Sequence, residues 1–327
     1  MLFEILLKLS KKRLTFGGYC NIIIKNKGLV LQYIQEFAEV KMKIGVNGIS
    51  AGAFGRYGDK ALEKMRSFGF EALDYNLSDT ESEIYKISEE EARARLLALK
   101  ADCDAAGIEI CQAHGPWRWP PRDFTPEDRA ERMASMKKSI AMTEILGVKN
   151  WVVHPIMPFG IEDIDSGNEK ATWDMNIEFM TELLSFAKEH GVTICLENMP
   201  MPDFSLGAPE AILRFVKEMN DESFRICLDV GHVTVYRNLN IYEETKRLGS
   251  YIRCLHVHDN KQERDLHLFP RFGRTDWEGF MKALSEIGYD GVFSLETAPP
   301  ESLSDELFEK AAELEIGIVR ELLGYRG

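Results

Sequence analysis

The chain has 327 residues, 45 % of them hydrophobic, a formal net charge of −13 and a pI near 5.2. That is enough apolar material for one large core, and α/β barrels commonly exceed about 250 residues as a single domain. The acidic balance argues against a long groove that tracks nucleic-acid phosphates, which needs clustered Lys and Arg; no apolar run reaches the roughly 18–20 residues of a membrane span.

The first 41 residues differ from the rest. In "MLFEILLKLSKKRLTFGGYCNIIIKNKG" the apolar stretch precedes the basic cluster, the reverse of a signal peptide. This segment holds seven Lys or Arg against three Glu, which leaves −17 for the remainder. A clean strand follows Met42, so residues 1–41 are expected to be an appendage or an upstream extension, and residues 42–327 a single barrel domain.

From Met42 onward short runs rich in Val, Ile, Phe and Leu alternate with longer segments of helical period. Strands are predicted at "KIGVNGIS" (43–50), "FEALDYNL" (70–77), "IEICQAHG" (108–115) and "VKNWVVHP" (148–155), then at "VTICLENM" (192–199), "FRICLDVG" (224–231), "IRCLHVHD" (252–259) and "VFSLETAP" (292–299). Between them, "TPEDRAERMASMKKSIAMTEILG" (125–147) opens with a Thr125 cap, Pro126 at the first helical position and Asp128 three residues after the cap, and closes at Gly147. "NIEFMTELLSFAKEHG" (176–191) closes at Gly191 in the same way, and "DWEGFMKALSEIG" and "SDELFEKAAELEIGIVRELLG" are likewise amphipathic. Strands alternating with helices imply parallel pairing. Eight such units on about 280 residues predict a closed (β/α)8 TIM barrel. No strand opens into G-x-G-x-x-G, which argues against a dinucleotide fold.

Six cysteines (Cys20, Cys103, Cys111, Cys195, Cys227, Cys254) form no C-x-x-C pair, and several fall in predicted buried strands. They are expected to be reduced core thiols of a cytoplasmic protein.

In a barrel of this kind chemistry sits at the carboxyl ends of the strands. There the third strand ends in His114, the fourth in His154, the fifth in Glu197 and the sixth in Asp229, with His232 just beyond. The seventh ends in His256, followed by His258 and Asp259, and its loop adds Asp265 and His267; the eighth ends in Glu296. A lone histidine at a strand end is commonly a hydrogen-bonded cap, and His190, beside a helix-ending glycine, is of that kind. Glu197 and Glu296 follow apolar runs that should be buried, so each must be paired, hydrogen-bonded or metal-bound. Six of the seven histidines fall on this one face with the acids. Such a concentration predicts a metal site, with His256 a ligand and His258 and Asp259 orienting it or contacting substrate. Imidazole and carboxylate donors without thiolate suit Mn, Zn, Co or Mg.

The strings "LENMP", "CLDVGH", "LHVHDN" followed by "DLH", and "SLET" occur in that order. On them the chain from Met42 resembles the xylose-isomerase-like barrels, a superfamily of sugar-phosphate isomerases and epimerases, ketose 3-epimerases, inosose-converting enzymes and endonuclease IV. The resemblance to the single-metal epimerases implies Glu197, Asp229, His256 and Glu296 as ligands of one ion, and His232 as a substrate contact. The resemblance to the multi-zinc endonucleases implies further ligands at His114, His154, His232, Asp265 and His267, so one to three ions per chain. It departs from the family where many sugar isomerases carry a Pro-Gly-x-Gly-like run: here "LFPRFGRTDW" places Arg271 and Arg274 near the mouth. The loop "HGPWRWPPRD" adds Trp117, Arg118, Trp119 and Arg122. Aromatic rings there can stack on a sugar, and arginines can bind a phosphate or carboxylate. "MPMPDFSLG" after Glu197 reads either as a lid or as a plain Pro-rich loop.

The function expected from this resemblance is a metal-dependent sugar or sugar-phosphate isomerase or epimerase that works through an enediolate, with Glu197 and Glu296 as acid and base and His232, His258, Trp117, Arg271 and Arg274 as substrate contacts. The alternatives are an inosose dehydratase-like lyase and an endonuclease IV-like phosphodiesterase on abasic DNA. The expected partner is a small carbohydrate or polyol rather than nucleic acid or membrane, with self-association left open.

Overall fold

The structure is a computed structural model that describes residues 42–324. The expectations for residues 1–41, Cys20 included, lie outside the described residues. Eight strands form one sheet: β1 (Ile44–Asn47), β2 (Ala72–Asn76), β3 (Glu109–His114), β4 (Asn150–Val153), β5 (Thr193–Glu197), β6 (Phe224–Asp229), β7 (Ile252–His256) and β8 (Phe293–Leu295). Each lies inside the span predicted for it. Neighbours in sequence pair in parallel, and β8 pairs with β1. A bridge between Val257 and Leu295 joins β7 to β8, with Val257 N–H donating to Ser294 O at 2.8 Å and Glu296 N–H to Val257 O at 2.9 Å. The sheet is therefore a (β/α)8 barrel.

Crossover helices alternate with the strands: α1 (Ala61–Phe68), α2 (Glu89–Ala106), α3 (Pro126–Ile145), α4 (Glu169–Glu189), α5 (Pro209–Met219), α6 (Ile241–Leu248), α7 (Trp277–Ile287) and α8 (Asp305–Leu322). The start of α3 carries the predicted capping box, Thr125 and Asp128 each bonding the other's backbone N–H. Helix α4 begins seven residues earlier than its apolar period suggested. The reason is two buried polar side chains, Thr172 and Asn176, on its inner face. Asn176 accepts from Ile156 N–H and donates to Ile156 O, both at 2.9 Å, so it serves the loop after β4 instead of the core. Among the described residues no helix is long and apolar enough to cross a membrane.

Side-chain alternation along the strands divides the core in two. Ile194 and Leu196 of β5, with Phe224 and Leu228 of β6 and Leu255 of β7, join the large cluster between sheet and helices. Cys195, Cys227, Cys254 and Val152 form a small separate cluster. This second group is a layer of compact side chains inside the barrel, one step below the strand ends. The cysteines within the described residues are free thiols, as expected from their spacing.

Two irregularities in register set which side chains point inward. On β3 the pairing with β2 runs Leu73 to Ile110 and then Asp74 to Gln112, so Cys111 is an extra residue. On β7 the pairing with β6 runs Ile226 to Ile252 and then Cys227 to Cys254, so Arg253 is extra. A one-residue slip exchanges the two faces of a strand. The first bulge puts Gln112 beside Asp74, and the second sets His256 opposite Asp229.

Candidate active site

Strand ends bring the expected residues together. Glu197, Asp229 and His256 are the last residues of β5, β6 and β7, His114 is the last of β3, and His154 and Glu296 directly follow β4 and β8. One carboxylate oxygen or ring nitrogen from each of Glu197, Asp229, His256 and Glu296 lies within 4.8 Å of the others. Three further groups share members with this quartet at the same spacing: His114, Glu197 and His256; Asp229, His232 and His258; and His258, His267 and Glu296.

Glu197 is the hub. Its Oε2 lies 3.0 Å from His154 Nε2 and 3.4 Å from His114 Nε2, and its Oε1 lies 3.1 Å from His256 Nδ1. Burial opposes its charge, but the imidazoles of His256 and His154 outweigh burial and hold the carboxyl well below its usual range. His154 answers in the other direction: burial pulls it down to about 4 in spite of Glu197, and its Nδ1 has no partner. Glu296 is pushed up, by burial and by the neighbouring charges of Glu197 and Asp229, although His256 and His267 oppose this.

The Asp229 side chain caps the short helical turn Val230–Val235, accepting from His232 N–H at 2.6 Å, while its other oxygen lies 3.1 Å from His258 Nε2. Asn198 clamps it from behind, donating to Asp229 O and accepting from Asp229 N–H. His232 Nδ1 donates to Asn198 O at 2.7 Å, which leaves Nε2 facing Asp265 Oδ2 at 3.3 Å. Gly231 has to be glycine: a Cβ there would stand 2.0 Å from His258 Cε1. His267 bridges Asp265 Oδ2 and Glu296 O, both at 2.9 Å. Burial opposes its charge, yet the hydrogen bond it donates to Asp265 prevails and raises it to about 9.

Several candidate residues have partners of their own. His258 does not hold His256; Asp74 does, with Oδ2 2.9 Å from His256 Nε2. His258 instead sits among the donor groups beside Asp229. The Asp259 carboxylate is consumed inside its own loop, accepting from Asn260 N–H, Thr275 N–H and Oγ1, and Trp277 Nε1. Trp117 does reach the site, its ring centroid 4.3 Å from that of His154. Arg271 pairs with Glu278 and Glu321 on the helical shell, and Arg274 bonds Gln262. Arg118 pairs with Glu131 and bonds Arg122 O. The "MPMPDFSLG" segment is packed in place: Phe204 and Leu206 are buried, and Tyr236 Oη donates to Met199 O and Met201 O.

Sequence reasoning missed Asp74. Its signal was an acid inside an apolar strand, "FEALDYNL", where a charge is buried only with a partner. Asn47 and Gln112, which join it there, carried no comparable mark.

The donor chemistry fits a divalent cation. Glu197, Asp229, Asp265 and Glu296 converge with no lysine or arginine among the described residues paired to them, so that imidazoles are the ionisable bases facing them. Buried carboxylates at this density need a positive charge among them.

The profile of the "Xylose isomerase-like TIM barrel" family matches residues 62–314. The chain belongs to that family. It is 31 % identical over 200 residues to an uncharacterized protein of Methanocaldococcus jannaschii, a match spanning 59 % of this chain and 66 % of that one. It is 24 % identical over 244 residues to the D-psicose 3-epimerase of Ruminiclostridium cellulolyticum, covering 72 % of this chain and 76 % of the relative. Among solved structures, a D-tagatose 3-epimerase-like protein superposes with a TM-score of 0.68 at 26 % identity, over 86 % of this chain and 97 % of that one.

Proposed function

We propose that this chain is a divalent-metal-dependent isomerase or epimerase of a sugar or polyol. The reading is carried by one observation: Glu197, Asp229, His256 and Glu296 offer four donor atoms within 4.8 Å of one another at the carboxyl end of the barrel. Mn, Zn, Co or Mg suits this donor set, and a bound ion supplies Lewis-acid polarisation of a substrate carbonyl, which acidifies the adjacent C–H. Glu197 and Glu296 then act as the proton carriers: one carboxylate takes the proton from carbon, and the other returns a proton to it. His232, fixed through Nδ1 to Asn198, turns its other nitrogen toward the substrate hydroxyls. His258 flanks them, and the Trp117 ring beside His154 offers an apolar face to the carbon chain. The sugar epimerases among the relatives support this reading.

A panel of ketoses, inososes and pentulose phosphates, incubated in deuterated water with metal-loaded protein, tests it. The parent washes deuterium into the carbon next to the carbonyl of its substrate. Glu197→Gln and Glu296→Gln each lose about 10²–10⁴-fold in exchange, since a glutamine can coordinate but cannot carry a proton. Full exchange in either variant would end the two-glutamate mechanism. Elimination of water from an inosose would reassign the chain as a lyase.

One observation favours a second reading. Three donor groups flank the quartet, built on His114, on His232 and on His267, with His154 beside Glu197 and Asp265 beside His232 and His267, which is more than one ion needs. A cluster of that kind suits a phosphodiesterase on abasic DNA. Metal-dependent cutting of an abasic duplex, with no exchange on any sugar, would favour it.

A further inference from the structure

We infer that Asp74, a buried carboxylate on β2 outside the donor quartet, is the positioning residue for His256 and, through Asn47, for Glu296. The inference rests on the functional reading only in taking the quartet as the place of a divalent ion.

Asp74 is fully buried and lies two residues before the end of β2. Its Oδ2 receives three side-chain donors: His256 Nε2 at 2.9 Å, Gln112 Nε2 at 3.0 Å and Asn47 Nδ2 at 3.4 Å. Its Oδ1 has no partner. A buried carboxylate with one bare oxygen and no lysine or arginine bonded to it is costly. Packing alone would be served better by an apolar residue in that place.

The geometry supplies a reason to keep it. An imidazole has two nitrogens, and the bond made by one decides what the other presents. His256 spans two carboxylate sites: Nε2 faces Asp74, and Nδ1 faces Glu197 Oε1 at 3.1 Å and Glu296 Oε1 at 3.7 Å. With Nε2–H donated to Asp74, the lone pair of Nδ1 is directed into the quartet. Asn47 adds a second arm, since its Nδ2 also donates to Glu296 Oε1 at 3.2 Å. Asp74 thus lies one side chain away from both proposed proton carriers, through His256 to Glu197 and through Asn47 to Glu296. The β3 bulge at Cys111 completes the arrangement by bringing Gln112 level with Asp74, where its amide fixes the carboxylate plane.

Titration of the full, metal-stripped chain with Mn²⁺ alone, read by chelator competition, tests this without any substrate. Asp74→Asn keeps the shape and one acceptor but removes the charge; Asp74→Ala removes both. Mn²⁺ affinity is expected to fall about 10-fold in the first and toward 100-fold in the second, the range for partners of metal-bound histidines. The melting temperature of metal-free Asp74→Asn should stay within a few degrees of the parent. A purely structural role predicts the opposite split, lower melting with unchanged affinity. Mn²⁺ affinity of Asp74→Asn within threefold of the parent would overturn the inference. So would loss of its fold, because an isostere should satisfy any packing need. A parent that binds none of Mn²⁺, Zn²⁺, Co²⁺ and Mg²⁺ would instead remove the functional reading, and the two failures are told apart by that control.

Discussion

The deep wall of the site and its rim are held by different means. On the deep wall, Glu197, Asp229 and His256 end their strands and are at most 1 % exposed. Ladder hydrogen bonds fix their backbones whether or not anything occupies the site. On the rim, the side chains of Asp265 and His267 are 26 % and 43 % exposed and belong to the loop after β7. They are held chiefly by each other, by His232 and by Asn260, and His267 sits at a φ of 46° that few side chains adopt. Rigid scaffold supplies the inner donors, and a loop supplies the outer ones.

The sharpest way to break this comparison is to remove one carboxylate from each side. Glu197 contacts four histidines and belongs to two of the donor groups. Glu197→Ala is expected to reduce Mn²⁺ affinity by more than about 100-fold. Asp265→Ala is expected to cost less than about 10-fold at the tightest site and to show mainly as a lower metal count by elemental analysis. Equal losses in the two variants would mean that wall and rim form one inseparable cluster.

Gly231 lies where the wall meets the rim. Its missing Cβ lets the His258 ring pack against the backbone of the "DVGH" turn. Gly231→Ala must push that ring away from Asp229, at about 1–3 kcal/mol of overpacking. Thermal melting should fall accordingly, with a smaller loss of Mn²⁺ affinity than in Glu197→Ala. An unshifted melting temperature would show that the ring moves freely and is not part of the wall.

The wall was far more legible in the sequence than the rim. Each inner donor closes an apolar run, as in "VTICLE" and "FRICLD", so the strand and its functional end are read in one pass. Loop paths leave no such record. Arg271 and Arg274 are near the mouth in sequence, yet Arg271 turns outward to Glu278 and Glu321. The role of Asp74 was hidden for a different reason: it depends on the extra residue in β3, and register is a property of two strands together. Asn176 misled the reading of α4 in the same spirit, because its amide answers the backbone of Ile156, which no period reveals.

A third test compares two buried carboxylates. Glu197 is faced by imidazoles and held low, whereas Glu315 on α8 has only Thr297 Oγ1 as a donor and one bare oxygen, and burial pushes it up to about 8. For Glu315 the neutral form is the one the fold accommodates. The stability tied to it is fully present below the ordinary value of 4.5 and is lost as the pH rises through about 8, at up to about 1.4 kcal/mol per pH unit. Glu315→Gln keeps an acceptor for Thr297 and removes the titration. Denaturant unfolding should find the variant close to the parent at acid pH and more stable than the parent at pH above 8. A difference between the two that does not change with pH would refute the burial argument.

The smallest effect is expected from removing residues 1–41. Lys43 is already tied into the barrel, its carbonyl accepting from Phe293 N–H at 2.9 Å. Strand β1 is paired on both sides, to β2 and to β8, within residues 44–47. The eight strands of the barrel, its crossover helices α1–α8 and the donors of the wall all lie after Met42. We propose that a chain beginning at Met42 is a complete barrel, with its melting temperature within about 2 °C of the parent, no more than the low end of the shift of about 2–4 °C that 1 kcal/mol produces in a larger domain. Its Mn²⁺ affinity should be unchanged. A fall in both would show that the leading segment braces the wall, and a fall in metal affinity alone would tie it to the rim.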